Sequence, residues 1–223
     1  MTQKPYTAVI WDMDGVIADT GASHCRSWQY AFKKQGIIFT EKDFQRIFGQ
    51  RNDAIIRGTM GKEISQDEIE SIANDKEVYF RGSVKSNIEP FPGVIALLKT
   101  LKTNGIAAAI ASSAPLENIQ LILAEIGIAD YFQAIVFGRE VAEGKPSPQV
   151  FLKAAQKLGV EPANCIVIED AVAGVEGAKR AGMHCIAVTN THKAAGLTRA
   201  DLVVDSLKKV GIGDLELLFN LKK

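Results

Sequence analysis

Two aspartates, Asp12 and Asp14, stand directly after the apolar run Thr7–Trp11 and directly before Gly15. In an open α/β sheet, ligands bind outside the carboxyl ends of the strands, so an acidic pair at such an end is a candidate for chemistry. If the strand stays extended through Asp14, both side chains project from the same side. One carboxylate could then attack a phosphorus centre while the other transfers protons. An acid- and glycine-rich turn without chemistry is the alternative interpretation.

A second acidic pair, Glu169 and Asp170, follows the apolar run Cys165–Ile168. Adjacent acids at a buried strand end are costly unless a cation neutralises them. Together with Asp12 they would form an oxygen-ligand site suited to Mg²⁺. The alternative is that Asp170 only caps the helix predicted after it.

Ser112, Ser113 and Lys145 supply further groups that a phosphate site would need. Ser112 follows the apolar run Ile106–Ala111, and a hydroxyl there could donate to a phosphoryl oxygen or cap the next helix. Lys145 lies in a Gly-Lys-Pro sequence, where a P-loop interpretation fails because Pro146 occupies the Ser/Thr position. Lys145 is therefore either a surface lysine or a cation that binds a phosphate dianion.

Short apolar runs alternate with helical patterns from residue 92 to the end of the sequence. The predicted strands are Thr7–Trp11, Ile106–Ala111, Ala134–Phe137, Cys165–Ile168, Cys185–Val188 and Leu202–Val204. Runs without polar residues suit strands that are covered on both faces. The alternation predicts an α/β fold with a doubly wound parallel sheet.

The segment 18–90 breaks this alternation, because it contains no strand-like run. It carries amphipathic helical patterns, one of them preceded by the capping-box sequence Ser65–Glu68. Pro90–Gly93 is predicted to be a stiff return linker. We therefore expect a small helical domain over 18–90, inserted into a catalytic core that consists of 1–17 and 91–223.

Composition gives no reason to expect a nucleic-acid or membrane partner. The 26 basic and 26 acidic residues give a formal net charge of zero. The three cysteines are sparse and form no C-x-x-C pair, and no apolar run is long enough to span a bilayer. These features predict a soluble cytoplasmic protein, a monomer or weak dimer, that binds a small molecule.

Four motifs, in this order along the chain, resemble those of haloacid dehalogenase-type phosphatases. They are Asp12-Met13-Asp14-Gly15-Val16, the strand end at Ser112, Lys145-Pro146, and Glu169-Asp170-Ala171-Val172-Ala173-Gly174. The resemblance covers nearly the whole chain, and the helical insert is similar to the cap of the subfamily that contains β-phosphoglucomutase. It implies a Rossmann-like core with an inserted helical cap.

The resemblance also implies a role for each core motif. By it, Asp12 is the nucleophile and Asp14 the general acid/base, while Ser112 and Lys145 hold the phosphoryl group. Dehalogenases of this superfamily lack the second aspartate, so Asp14 implies phosphatase or phosphomutase chemistry.

The cofactor implied by the resemblance is Mg²⁺. Its ligands would be the Asp12 and Asp170 side chains and the Asp14 carbonyl oxygen, with Glu169 as a further ligand or directly behind them. Three acids opposed by Mg²⁺ and Lys145 would leave a balanced site that admits a phosphate dianion.

Four cap-facing positions are predicted to bind substrate. Thr20 and His24 stand at the offsets where β-phosphoglucomutase carries its hinge threonine and cap histidine, although His24 could equally be a polar face residue of a cap helix. Arg51 resembles the cap arginine that grips a distal phosphate, and Ser113 joins it from the core. Phe48 stands where the mutase has a lysine, which favours a phosphatase.

These observations predict a Mg²⁺-dependent phosphatase that acts on a small phosphorylated metabolite, a sugar phosphate, through an aspartyl-phosphate intermediate. One alternative is an isomerase that moves phosphate between C1 and C6 of glucose, as β-phosphoglucomutase does. A third is a phosphometabolite-binding regulatory module without turnover, against which the four intact motifs argue. The cap is expected to close over the site.

Overall fold

The computed structural model describes residues 7–61, 63–85 and 88–220. Its centre is a six-stranded parallel sheet with the order β3-β2-β1-β4-β5-β6. The strands are β1 (Ala8–Trp11), β2 (Ala107–Ala111), β3 (Ala134–Val136), β4 (Cys165–Glu169), β5 (His184–Val188) and β6 (Leu202–Val204). The predicted α/β fold with a doubly wound parallel sheet is confirmed.

Helices cover the sheet on both faces. On one face lie α5 (Val94–Thr103), α6 (Leu116–Ile126) and α9 (Ile212–Asn220), and on the other α7 (Gln149–Leu158) and α8 (Val172–Arg180). Every residue of β1, β4 and β5 is buried. This double covering explains why the strands are continuously apolar instead of alternating with polar residues.

The strands differ from the predicted runs by at most one residue at either end. The difference that matters for the site is at β4, which continues through Glu169 because that residue still pairs with Ala187 of β5. At β3, Phe137 lies outside the strand because it immediately precedes a short 3₁₀ helix, Gly138–Glu140. The prediction thus placed Glu169 just after a strand that in fact contains it.

The segment between β1 and α5 is helical, and we call its helices the cap. They are α1 (Gly21–Lys34), α2 (Glu41–Ile47), α3 (Asn52–Met60) and α4 (Gln66–Val84). They share a hydrophobic core of their own, which includes Trp28, Phe32, Ile56, Ile69 and Ile72. The capping box predicted at Ser65 and Glu68 is present at the start of α4. A second one, at Thr40 and Asp43, begins α2 and was not identified from the sequence.

The two chain connections of the cap run side by side. The Phe91 amide donates to the Ile17 carbonyl at 2.8 Å, and Ala18 forms a β-bridge with Pro90. Both connections therefore leave the core at one place, close to the carboxyl end of β1. Any movement of the cap must occur about this paired segment.

Cys25, Cys165 and Cys185 are free thiols with buried side chains, so they pack as small apolar groups. Among the helices of the described residues, none has both the length and the apolar character needed to cross a membrane.

Gly93 offers a test of how tightly the cap connection is built. Its φ is +100°, and a Cβ at this position would overlap the backbone of Leu207 and Lys208. Gly127, which ends α6 with φ +74°, has open space where a Cβ would lie. We expect Gly93→Ala to lower the free energy of unfolding by more than about 3 kcal/mol, and Gly127→Ala by only about 1 kcal/mol. Urea denaturation checks this, and equal losses would contradict the overlap.

Candidate active site

Strands β1 and β4 are neighbours at the centre of the sheet, where the strand order reverses. Trp11 pairs opposite Ile168, so both chains leave the sheet at the same level. The Asp12 amide still donates to the Ile168 carbonyl at 3.0 Å. Asp12 on one strand end is thereby placed beside Asp170 on the other. Such a switch point is where open α/β sheets bind ligands.

Three carboxylates converge at this point. Asp12, Glu169 and Asp170 each offer an oxygen, and these oxygens lie within 4.8 Å of one another. All three residues are buried. With Lys145 they leave two negative charges, which a divalent cation would neutralise, and carboxylate oxygens are the ligands that Mg²⁺ prefers. The residues present therefore fit a magnesium site.

Glu169 is held in a fixed orientation by the backbone that leads from β4 into α8. Its Oε2 accepts hydrogen bonds from the Asp170 amide at 2.9 Å and the Ala171 amide at 3.0 Å. Gly174 lies directly beneath, and a Cβ there would overlap the carboxylate. The glycine of the fourth motif is thus needed because the glutamate occupies the space of a side chain.

Lys145 joins the two strand ends. Its Nζ donates to Asp12 Oδ1 and, at 2.5 Å, to Glu169 Oε1, and its side chain is only 5% exposed. Burial by itself lowers the pKa of Lys145, but the two carboxylates outweigh burial and raise it. Lys145 is therefore a buried, charged ammonium group of the site and not a surface lysine.

The electrostatics of the acids reflect their crowding. Burial, with contributions from Glu169 and Asp14, raises the pKa of Asp12 to about 8, although Lys145 opposes the shift. Burial, with contributions from Glu169 and Asp12, raises the pKa of Asp170 well above its usual range. The cluster is thus short of positive charge.

Asp14 has a different environment, although it is two residues from Asp12. Its Oδ1 accepts a hydrogen bond from Thr20 Oγ1 at 2.6 Å and lies 3.1 Å from His24 Nε2. Burial alone would raise the pKa of Asp14, but His24 and the hydrogen bonds from His24 and Thr20 outweigh it and lower the pKa. Asp14 therefore differs from Asp12 in its hydrogen-bond partners, which belong to the first residues of the cap segment and not to the acid cluster.

A buried polar chain continues from His24 into the cap. The Lys76 ammonium lies 2.9 Å from His24 Nδ1 and 2.8 Å from Glu77 Oε1. Because an ammonium group only donates, Nδ1 accepts and Nε2 carries the hydrogen that reaches Asp14. Glu77 Oε2 accepts from the Asn118 amide group at 2.6 Å, which brings the chain back to the core.

The two serines lie at the carboxyl end of β2, next to β1. Ser112 is buried, and its Oγ accepts a hydrogen bond from the Ala114 amide at 3.1 Å. That acceptor role leaves the hydroxyl hydrogen available for another group. Ser113 lines a pocket between core and cap.

Arg51 is placed differently from the other predicted site residues. Its Nε and Nη2 donate to Asp53 at 3.1 and 3.2 Å, and its Nη1 donates to the Val141 and Ala142 carbonyls at 2.7 and 3.1 Å. The guanidinium group therefore faces a loop of the core and not the pocket that Ser113 lines. The structure brings Asp12, Asp14, the motif residues and His24 together, and leaves Arg51 outside.

The pocket that Ser113 lines, here the cap pocket, lies above Asp14. Its walls are mainly apolar or aromatic, and they are formed by Trp28, Phe44, Ile47, Phe48, Ile55 and Ala114. Polar groups come from His24, Gln50, Asn52, Lys76 and Glu77. A second cleft lies over the acid cluster, and the cap contributes Arg46 and Gln50 to it.

Several residues of the site were not identified from the sequence. Lys76 and Glu77 are buried, and Lys76 interrupts the apolar stripe of α4, which is the signal that could have revealed it. Thr191 donates to both the carbonyl and the carboxylate of Asp170. Nothing in the sequence around Thr191 or Asn118 distinguishes them from ordinary loop and helix residues.

Comparisons with known proteins agree with this geometry. A family model described as haloacid dehalogenase-like hydrolase matches residues 9–188. β-Phosphoglucomutase of Bacillus subtilis (strain 168) is 36% identical over 205 residues, 88% of this chain and 88% of that protein. The phosphorylated carbohydrates phosphatase of Thermotoga maritima is 32% identical over 183 residues, 80% of this chain and 83% of that protein.

Solved structures extend the likeness to the whole fold. A crystal structure of β-phosphoglucomutase from Clostridium difficile superposes with a TM-score of 0.87 at 31% identity, covering 96% of this chain and 97% of that one. The family match and the relatives identify a phosphoryl-transfer enzyme. The chain belongs to the haloacid dehalogenase-like hydrolases, and its relatives include sugar-phosphate phosphatases and β-phosphoglucomutases.

Proposed function

We propose that this protein is a phosphatase that releases inorganic phosphate from a small phosphorylated metabolite, a sugar phosphate, through a phosphoryl group carried on Asp12. One observation carries the proposal. Asp12 lies beside Lys145 and two further acids at the switch point, whereas Asp14 is separated from them by its contacts with Thr20 and His24. The arrangement provides a nucleophile and a proton carrier side by side.

Magnesium is the cofactor that the donor set supports best. Asp12 and Asp170 would hold it through their carboxylates, with Glu169 nearby. The Asp14 carbonyl oxygen is the further ligand that the family resemblance implies. When bound, Mg²⁺ neutralises the acids and stabilises charge on the phosphoryl oxygens.

The residues of the chain can perform two displacements. In the first, an Asp12 carboxylate oxygen bonds to phosphorus, the phosphorus–oxygen bond to the leaving group breaks, and Asp14 gives the leaving oxygen its proton. In the second, Asp14 takes a proton from water, whose oxygen bonds to phosphorus and releases Asp12 and inorganic phosphate. Ser112 and Lys145 hold the phosphoryl oxygens during both steps.

The cap pocket would receive the leaving group. Among the described residues that line this pocket, Lys76 is the sole lysine or arginine, and Glu77 and His24 already occupy it. A second phosphate would therefore find no unpaired ammonium or guanidinium group among the described residues of this pocket. Aromatic walls and amide groups suit the hydroxyl groups and carbon framework of an uncharged sugar or polyol.

β-Phosphoglucomutase activity is the second candidate, because a relative with that name is 36% identical over most of both chains. Moving phosphate between C1 and C6 through Asp12 requires the pocket to hold a sugar that carries two phosphates. The lysine of the cap pocket is already paired with Glu77, and Arg51 faces a loop of the core; both observations favour hydrolysis over this isomerisation.

A panel of phosphorylated metabolites, assayed for phosphate release, tests the function. We expect hexose monophosphates to be hydrolysed with a kcat/KM at least about tenfold above that of sugar bisphosphates and phosphoglycolate. Asp12→Asn is the matched control, since the amide preserves shape but removes the nucleophile, and it should abolish release. Residual activity within about tenfold of wild type, some 1.4 kcal/mol in barrier, would exclude Asp12 as the nucleophile. An isomerised product without phosphate release would instead support the mutase.

Metal dependence provides a second test. Treatment with EDTA should remove the activity and added Mg²⁺ should restore it. Asp170→Asn should weaken Mg²⁺ binding by roughly tenfold or more in isothermal titration calorimetry, because a carboxylate ligand is lost. Asp205→Asn removes one exposed acid elsewhere and should leave the titration unchanged. Full activity in EDTA, or an unchanged titration for Asp170→Asn, would contradict the assignment.

The pH dependence of kcat/KM should show whether His24 lowers the pKa of Asp14. This residue is the main partner that lowers the pKa of Asp14, so His24→Gln should raise that pKa. The limb of the pH–kcat/KM profile that reports Asp14 then moves to higher pH, with saturating Mg²⁺ throughout. Thr20→Val removes a weaker partner and should move the same limb in the same direction by less. A limb that stays fixed or moves to lower pH would show that His24 does not stabilise the Asp14 carboxylate.

A further inference from the structure

Arg51 connects the cap to the core through an ordered set of hydrogen bonds. Asp53 accepts two parallel bonds from its Nε and Nη2, which fixes the plane of the guanidinium group. The remaining nitrogen, Nη1, points out of the cap and donates to the carbonyls of Val141 and Ala142 in the core. Since donor and acceptors belong to different parts of the fold, these bonds exist only while the cap lies against the core.

The loop that accepts these bonds leads directly to Lys145. From the core side it is held by Gln149, whose Oε1 accepts the Ala142 amide at 3.0 Å and the Glu143 amide at 3.1 Å. From the cap side, the Arg51 stem lies over Gly144, where a Cβ would come within 3.0 Å of Arg51 Cδ. The next residue is Lys145, whose ammonium contacts Asp12 and Glu169. The loop is thus fixed on one side by the core and on the other by the cap.

We propose that Arg51 is a positioning residue that latches the closed cap onto the 141–144 loop and so holds Lys145 in place for phosphoryl transfer. The inference rests on the proposed function, in which Lys145 binds the transferred phosphoryl group. In the open cap the loop keeps its Gln149 contacts and the hydrogen bond from the Ser147 amide to the Gly144 carbonyl, but it loses those to Arg51, and Lys145 is less restrained. Closure of the cap therefore excludes water and also holds Lys145 in place on the opposite side of the cleft.

The Arg51→Met variant keeps the side-chain stem over Gly144 but removes the hydrogen bonds of the guanidinium group. A latch and a residue that grips the substrate predict different kinetics for this variant. As a latch, Arg51 acts on any phosphate ester, so kcat/KM should fall by a similar factor, about tenfold, for a hexose monophosphate and for p-nitrophenyl phosphate. A residue that grips the sugar would lose activity on the hexose phosphate alone, and that result would overturn the proposal. Arg57→Met is the control, since Arg57 of α3 bonds to Ile64 and Gln66 within the cap, and it should leave both values unchanged.

Hydrogen–deuterium exchange of a peptide that covers 141–149 tests the latch without relying on turnover. Exchange at the Ala142 and Glu143 amides should accelerate at least about threefold in Arg51→Met and less in Arg51→Lys, which keeps the charge. Unchanged exchange would overturn the proposal. If wild type releases phosphate from no substrate, the proposed function fails, and the exchange result still decides the latch. If Arg51→Met does not fold, Arg51→Lys supplies both measurements.

Discussion

Asp12, Glu169 and Asp170 place three like charges in one buried volume, and burial makes each of them costly to ionise. Lys145 offsets one charge by contacting two of the acids at once. The other two charges have no ammonium or guanidinium partner among their described contacts, so the residues present fit a divalent cation, whose charge would also favour a bound phosphate group. The chemistry of this family follows from that imbalance.

Much of the surrounding structure serves to bring these acids together. Adjacent strands end at the same level, because β1 and β4 pair in register up to Trp11 and Ile168. Glycines then remove the side chains that would occupy the space of a carboxylate, at Gly15 beside Asp170 and at Gly174 beside Glu169. A bulkier residue at either glycine would push an acid out of the cluster, which is why the motifs carry glycine where the backbone approaches most closely.

The cap contacts the catalytic centre on two sides, through two separate sets of hydrogen bonds. On one side a buried polar chain passes from Asp14 through His24 and Lys76 to Glu77, and every hydrogen bond in it fixes the next group. On the other side Arg51 reaches the loop before Lys145. The cap therefore supports both Asp14, the proposed proton carrier, and the loop before Lys145, the proposed phosphate-binding residue, so the proposed closure would bring both into place together.

The sequence by itself determined the parts of this protein that depend on local pattern. Continuous apolar runs predicted the buried parallel strands, acids after two of those runs predicted the cluster at the switch point, and the Ser65 capping box predicted the start of α4. Each of these signals lies within a few residues of the feature it specifies. The order of the four motifs along the chain then indicated that these features belong to one site.

Only the tertiary structure decided which polar groups meet across long sequence separations. Arg51 contacts carbonyls 90 and 91 residues away, and Asn118 meets Glu77 across 41 residues. Lysine is typical of the exposed surface of a helix. Lys76 is nevertheless buried, because its ammonium group has hydrogen-bond partners in Glu77 and His24. Such contacts have no local signature, since a side chain's partner is set by how the cap packs on the core, and packing depends on the whole chain at once.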